Sequence, residues 1–383
     1  MKVLITTDLY NVSTNGVVTS VRNLMEELEE KGHEVRVLTF SEDRESYKEG
    51  NIYYIKSVSI DFVYPDVRMP ISYRNWLVDE LIAWKPDVIH SQCEFFSYQF
   101  AQRIARKTGA PLVHTYHTLY EDYVNYVIPS KRVGKRAVRK LSRMRLKKSQ
   151  KIIAPTNKVQ KILRGYGMEN DICVVPSGLD LKQYDYQMSE EERKAKRQAL
   201  DIPEGNQVLL NLGRLGTEKN VEELIELFAE ARKVNQKLTF LIVGDGPAKN
   251  ELEDLAKHLG VEDDVIFTGM IPSNLVREYY QLGDVFVSAS TSETQGLTYI
   301  EAAANALPLL CRKDDCLADV IEDGKNGYQY TSKEEFLDKL QVMMNDEEWR
   351  MNAGKRSKEI AEVFDKRNFG DKIESIYKNV AFS

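Results

Sequence analysis

The sequence predicts an α/β protein of two similar domains with parallel sheets. Short apolar, β-branched runs alternate with helix-period stretches along the chain, and the alternation breaks once, near residues 181–206, before resuming. Length agrees, since 383 residues suit two domains that each bury a core. The expected architecture is two Rossmann-like domains facing across a cleft. Residues 1–182 form the first and 183–206 a linker. Residues 207–365 form the second, and a last helix, 366–383, can pack on either domain, the first being the expected one.

The elements follow in order. Lys2–Thr7 is apolar and strand-like, and the polar turn Asn11–Gly16 follows it. Val17, Val21, Leu24 and Leu28 recur at helical spacing up to Lys31, where Gly32 ends the helix. Glu34–Phe40 is the next strand, so the segment reads as a βαβ unit whose turn at Gly16 lies at the strands' carboxyl ends, where such sheets bind ligands. No Gly-x-Gly-x-x-Gly is present, which argues against a dinucleotide dehydrogenase. Further strands are expected at 51–58, 87–90, 111–114 and 151–154. In the second half they are expected at 207–212, 238–243, 265–268, 284–289 and 307–312. Helices are expected at 221–234, 248–259, 276–282, 297–306 and 366–380.

Composition excludes some classes. With 42% apolar and 29% charged residues the chain is an ordinary globular one. No run of about 18 apolar residues exists to span a bilayer. The amino terminus enters a strand pattern directly rather than a signal peptide. Cys93, Cys173, Cys311 and Cys316 have neither zinc nor disulfide-framework spacing and read as reduced thiols.

Charge is uneven. Residues 131–151 hold eleven Lys and Arg and no acid, and removing them from the net −6 leaves −17 elsewhere. The run comprises Lys131, Arg132, Lys135, Arg136, Arg139, Lys140, Arg143, Arg145, Lys147 and Lys148, closing at Lys151. Val133, Ala137, Leu141 and Met144 mark one apolar stripe through it. A basic helix with one such stripe suits the interface of an anionic membrane. Nucleic acid, or a solvated helix with its stripe packed on the core, are the alternatives at this point.

The segment with most chemistry is Asp284–Cys311. A strand, a hydroxyl-rich turn ending at Gly296, and a helix from Leu297 and Thr298 make an anion cradle, because the first amides of a helix lack partners and its dipole favours negative charge. Glu293 lies in the turn and Glu301 about one helical turn in. Beside an anion they make sense as acceptors of sugar hydroxyls; otherwise Glu301 complements a helix dipole and Glu293 is a loop residue. Gly213-Arg214-Leu-Gly-Thr-Glu-Lys219 follows a strand, and its Arg and Lys can clamp a diphosphate. Gly244 lies in a similar but weaker Gly turn. His117 stands just past a strand with Asp122 and several tyrosines near it in sequence, and is either a proton-transfer or hydroxyl-binding group or a structural histidine.

With these residues in place, the chain resembles the retaining GT-B glycosyltransferases of family GT4. Glu293 and Glu301 match its Glu-x7-Glu signature, Arg214 and Lys219 its basic pair, and Val175–Asp180 its interdomain segment. Residues 113–123, 267–270 and 288–299 are similar to the bacterial diacylglycerol glucosyltransferases. The resemblance implies UDP-glucose as donor, the 3-hydroxyl of diacylglycerol as acceptor and an α-linked product. It implies that Glu293 holds the donor sugar, Glu301 the ribose, Gly16 the diphosphate loop, and that His117 lies near sugar and acceptor. Gly213, Gly244, Gly269, Gln295, Gly296, Leu297 and Thr298 complete the implied donor pocket, and the basic run corresponds to a membrane-docking region.

No Asp-x-Asp is present, so no metal and no tightly bound cofactor are expected. The expected partners are an anionic membrane and diacylglycerol, not nucleic acid, and the expected location is the cytoplasmic face of the cell membrane. Alternatives are a GT4 enzyme for another donor (UDP-galactose, GDP-mannose) or acceptor, and a non-catalytic lipid-binding protein on the same scaffold.

Overall fold

In the computed structural model, which describes residues 1–11, 15–43, 45–60, 67–123 and 131–382, the chain divides into two compact units. The first is Met1–Leu179 with Asp365–Ser383; the second is Asp180–Phe364.

The strands of the first unit are β1 (Lys2–Thr6), β2 (Glu34–Ser41), β3 (Tyr47–Glu49), β4 (Ile52–Ser59), β5 (Arg68–Pro70), β6 (Val88–Ser91), β7 (Leu112–Thr115), β8 (Lys151–Ala154) and β9 (Asp171–Val174). Among the described residues they form one sheet in the order β3-β4-β2-β1-β6-β7-β8-β9, with β5 paired to β4. All pairings are parallel except those of β3 and β5 with β4. Both faces are covered, which is why these strands read as continuous apolar runs. Val3 and Ile5 face the helices Gly16–Glu30 and Lys366–Ala381, while Leu4 faces the opposite layer with Leu77, Leu81, Phe100 and Ile104.

The carboxy-terminal helix belongs to this unit through both packing and polar contacts. Phe369, Ile373 and Tyr377 join its core. Tyr377 Oη meets His90 Nδ1 at 2.6 Å, and Glu374 meets His33 Nε2 at 2.9 Å.

The second unit contains β10 (Gln207–Leu212), β11 (Leu238–Val243), β12 (Val265–Phe267), β13 (Val285–Ser288), β14 (Leu309–Arg312) and β15 (Gly327–Tyr330). They form a parallel sheet in the order β12-β11-β10-β13-β14-β15. Strands β3, β5, β9 and β15 lie outside the expected set; β3 is Tyr-Lys-Glu and β15 Gly-Tyr-Gln-Tyr, neither an apolar run, and β9 is only four residues long.

The segment 183–206 is not a bare linker. Glu190–Ala199 is a helix with a full capping box between Ser189 and Glu192. It buries no residue and is tied to the second unit by arginines instead. Arg193 and Arg197 each reach Asp284 at 2.9 Å, and Arg197 also donates to the Leu282 carbonyl at 2.6 Å. A helix fastened by charge carries no apolar period, so its sequence reads as a connector. Two helices not expected, Lys333–Asn345 and Glu347–Ala361, complete this unit.

Candidate functional site

Strand order decides where each unit can bind a ligand. In a doubly wound sheet the crevice lies at the carboxyl ends of the two strands where the order reverses. In the second unit those strands are β10 and β13, adjacent and parallel. The loop after β10 carries Gly213, Arg214 and Lys219, and the loop after β13 carries Glu293, Gln295 and Gly296. The fold thus brings together two segments more than seventy residues apart in sequence, and Lys219 Nζ meets Glu293 Oε1 at 2.5 Å.

The contacts refine the expected diphosphate clamp. Arg214 Nη1 pairs with Glu218 Oε1 at 3.0 Å, and the side chain of Glu218 is almost wholly buried. Ser290 Oγ also donates to Glu293 Oε1, at 2.9 Å, and Ser292 Oγ donates to the Glu218 carbonyl at 3.2 Å. Each cation is therefore held by a carboxylate, and hydroxyls of the β13 loop lock both carboxylate-bearing loops together. Glu218, Ser290 and Ser292 were not singled out in the sequence; Glu218 four residues beyond Arg214 is the signal that could have found the first.

Backbone supplies the floor. Gly213, Gly244 and Gly269 end β10, β11 and β12, and all three have positive φ. Gly244 N donates to the Gly269 carbonyl at 3.1 Å, and a Cβ on Gly244 would stand 2.0 Å from the Gly213 carbonyl oxygen. No side chain could occupy that position. Gly296 is the N-cap of the helix Leu297–Ala304, with φ +72° and no side-chain cap, and a Cβ there would meet the Tyr299 ring at 2.3 Å. At the start of this helix Leu297 and Thr298 are half-buried with Gln295 buried beside them, and the first backbone N–H groups of a helix lack intrahelical partners.

Glu301 is the fifth residue of that helix, too far in to complement its N-terminal dipole. It accepts from Tyr280 Oη at 2.8 Å, and Tyr184 also hydrogen-bonds it. Burial pushes its carboxyl above the ordinary range, and the two phenol bonds offset that only in part. Tyr280 and Tyr184 had no sequence signal of their own.

In the first unit the order reverses between β1 and β6. His117 lies beyond β7, half-buried, with Nε2 at 2.7 Å from Gln92 Oε1, which follows β6. Burial, assisted by neighbouring His114, lowers its pKa to about 3, so the ring is neutral. The side chain of Asp122 lies outside the described residues. His114 is buried in β7 with Nε2 at 3.1 Å from Glu94, although its Nδ1 has no partner. Gln92 was missed because a glutamine carries no signal until the fold brings it to a histidine. Gly16 opens the helix Gly16–Glu30, which Asn15 caps by accepting from Val17 N at 2.8 Å; residues 12–14 of its loop lie outside the described set.

The basic run forms the helix Lys131–Leu146. Its apolar stripe faces outward: Val133, Leu141 and Met144 are 59%, 40% and 64% exposed, while Gly134, Ser142 and Leu146 face the unit. The stripe therefore does not pack on the core. Arg132, Arg136, Lys140, Arg143, Lys147 and Lys148 are exposed with no ion pair among the described residues. Three expected surface cations behave otherwise. Arg139 pairs with Glu121 at 2.6 Å, Lys135 lies 3.7 Å from the same carboxylate, and Arg145 donates to two backbone carbonyls. The side chain of Lys131 lies outside the described residues.

Among the described residues no group of three or more His, Cys, Asp or Glu is placed to hold a metal, and no helix is long and apolar enough to cross a membrane.

Residues 192–360 match the family model "Glycosyl transferases group 1", and residues 14–183 match "Glycosyltransferase Family 4". The chain is 34% identical to the alpha-monoglucosyldiacylglycerol synthase of Streptococcus pneumoniae, over 100% of this chain and 87% of that one. It is 30% identical to the alpha-monoglucosyldiacylglycerol synthase of Acholeplasma laidlawii, over 98% and 96%. Among solved structures, Anabaena HepE in complex with UDP and glucose is similar with a TM-score of 0.77 at 17% identity, covering 99% of this chain and 100% of that one.

Proposed function

The chain belongs to glycosyltransferase family 4 and has the GT-B fold, and from that membership we propose that it moves glucose from UDP-glucose to the 3-hydroxyl of 1,2-diacylglycerol, with retention, at a membrane surface. The product is α-monoglucosyldiacylglycerol. The observation that carries this reading is the Lys219–Glu293 pair across β10 and β13, which joins a phosphate-type cation to a hydroxyl-type acceptor in one crevice. Two full-length relatives bearing that product's name support the lipid acceptor.

Each residue then has a task. The departing group is a diphosphate, so stabilising its developing charge is the main catalytic demand. Lys219, Arg214 and the uncapped helix start at Gly296–Thr298 meet it, and no Lewis acid is needed in this scheme. Glu293 accepts from sugar hydroxyls and Glu301 from the ribose; Gly213, Gly244 and Gly269 let the nucleotide approach bare backbone. The C1–O bond to the β-phosphate breaks with its electron pair on the phosphate oxygen. The acceptor oxygen bonds C1 on the same face, and its proton passes to the departing diphosphate. His117, held neutral by burial, serves as a hydrogen-bonding group for the sugar or acceptor hydroxyl.

The outward stripe and cations of the helix Lys131–Leu146 hold the enzyme on anionic lipid, so its place is the cytoplasmic face of the cell membrane. Each basic side chain near such a surface contributes about 1 kcal/mol.

The test offers UDP-glucose, UDP-galactose and GDP-mannose separately to the protein on anionic vesicles containing diacylglycerol, with products read by mass and linkage. An α-linked glucosyl lipid from UDP-glucose is expected. A different hexose or a β linkage would replace the donor or the stereochemistry, and donor hydrolysis without lipid product would remove diacylglycerol.

A further inference from the structure

Arg139, half-exposed, and Arg145, partly buried, lie on the basic helix yet bond to the first unit, and we infer that they are positioning residues for His117, fastening that helix to the two segments that hold its ring. The inference rests on His117 lying at the reaction site, as proposed above.

Arg145 Nη1 donates to the main-chain oxygens of Glu94, at 3.0 Å, and Phe95, at 2.7 Å. These belong to the loop 92–95 between β6 and the helix Phe96–Thr108. At the start of the loop, Gln92 N donates to the Thr6 carbonyl at 2.8 Å, and the Gln92 side chain meets His117 Nε2 at 2.7 Å. Just beyond its end, buried Asp8 accepts from Ser97 N at 2.7 Å. The loop is thus held at both ends by residues of β1 or just past it, and in the middle by one guanidinium. The Phe95 ring also stands edge-on to Tyr120, with centroids 4.7 Å apart, three residues past His117.

Arg139 secures the other segment. Its Nε and Nη2 donate to the two oxygens of Glu121 at 2.6 and 3.3 Å, and Glu121 lies four residues after His117. Burial would raise the Glu121 carboxyl, but hydrogen bonds from Arg139 and Tyr166 outweigh it and leave the pKa below the ordinary value, so the carboxylate stays charged toward its arginine.

The chemistry suits arginine. The Arg139 fork reaches both oxygens of a carboxylate through two nitrogens, and Arg145 sets one nitrogen, Nη1, between two carbonyls at the end of a rigid plane that a flexible ammonium stem lacks. One helix therefore has two sets of cations. Arg132, Arg136, Lys140, Arg143, Lys147 and Lys148 face solvent, while Arg139 and Arg145 carry the helix's position to the segments around His117.

The test uses the full-length protein on anionic diacylglycerol vesicles. Arg145→Gln and Arg145→Lys are compared with Arg136→Ser/Lys140→Ser and His117→Ala, measuring vesicle binding, kcat, the half-saturating vesicle concentration and the ¹⁵N imidazole signal of His117. Arg145→Gln is expected to keep vesicle binding, lose kcat by about 10-fold or more, as small misplacements at a reaction site do, and shift or broaden the His117 signal. Arg145→Lys should fall between. Arg136→Ser/Lys140→Ser should raise the half-saturating vesicle concentration and leave the His117 signal in place. Arg145→Gln with wild-type kcat and His117 signal would overturn the inference. So would a loss fully restored by more vesicles, which would make Arg145 an ordinary membrane contact. If Arg145→Gln does not fold, Arg145→Lys decides by the same readouts. Full activity in His117→Ala would instead overturn the role given to His117, a separate and distinguishable failure.

Discussion

Lys219 and Glu293 come from loops 74 positions apart and meet at 2.5 Å, so each keeps the other in place before any ligand arrives. If Lys219 also stabilises the departing diphosphate, Lys219→Ala should lower kcat on the order of 10²-fold or more, as loss of one preorganised charge donor does elsewhere. Turnover near wild type in steady-state assays would remove Lys219 from that role. His117 gives a second expectation. With its pKa lowered to about 3, the ring does not titrate near neutrality, so the rate between pH 6 and 8 should show no His117 inflection. A step near pH 6.5 that His117→Asn abolishes would contradict a buried neutral ring.

The same shift bears on acid stability. His90 is likewise lowered well below its usual value by burial. Between the ordinary histidine pKa and these depressed ones, the unfolded chain binds protons that the folded chain does not, so folding stability declines as pH falls through that window. At this scale the sequence was informative where residue type and position after a strand coincide, as for Glu293, Lys219 and Arg214. It was silent where a partner is chosen by the fold alone. Gln92 on His117, Tyr280 on Glu301 and Glu121 on Arg139 are residue types found at countless other positions.

Elements show a second limit. Most strands buried on both faces and most helices with apolar stripes are legible to within a residue or two, as Gln207–Leu212, Leu238–Val243 and Val221–Val234 are, although Lys333–Asn345 escaped despite its stripe of Phe336, Leu340 and Met343. The helix Glu190–Ala199 was not legible, because its cohesion is ionic. Asp284 receives Arg193, Arg197 and the Val208 amide, at 2.9, 2.9 and 2.7 Å. Asp284→Ala should therefore cost about 1–3 kcal/mol in urea unfolding, the range for groups left without a partner; an unchanged midpoint would mean that the helix is held by something else.

The helix Glu347–Ala361 escaped for another reason. Its buried face is Ala353, Gly354, Ser357, Ile360 and Ala361, mostly small residues with one large apolar side chain, which leaves only a weak apolar period. In the basic helix the stripe was legible but its direction was not. Since Leu141 and Met144 face outward, the double substitution Leu141→Glu/Met144→Glu should weaken vesicle binding in sedimentation assays while leaving the thermal midpoint unchanged. A large drop in that midpoint would put the stripe back in the core.

For the whole molecule, two doubly wound sheets follow from alternation alone, and their strand orders explain why the functional candidates sit where they do. In each unit the order reverses beside the first strand of its sheet's central pair, β1 with β6 and β10 with β13, and the loops at those ends carry Asp8, Gln92, Lys219 and Glu293. The chain also passes between units twice, so residues 365–383 rejoin the first unit; the strand–helix alternation by itself does not say which unit a final helix joins, and the first was expected from the family resemblance rather than from the pattern.

The most direct measurement is single-turnover transfer of labelled glucose from UDP-glucose to diacylglycerol in anionic vesicles, by the wild-type protein and by Glu293→Gln. The account predicts labelled α-glucosyldiacylglycerol from the wild type and a rate lower by roughly 10²-fold in the variant, whose amide keeps the shape but loses the charge that holds Lys219 and the sugar. Absence of label in lipid, or equal rates for the two proteins, would contradict it.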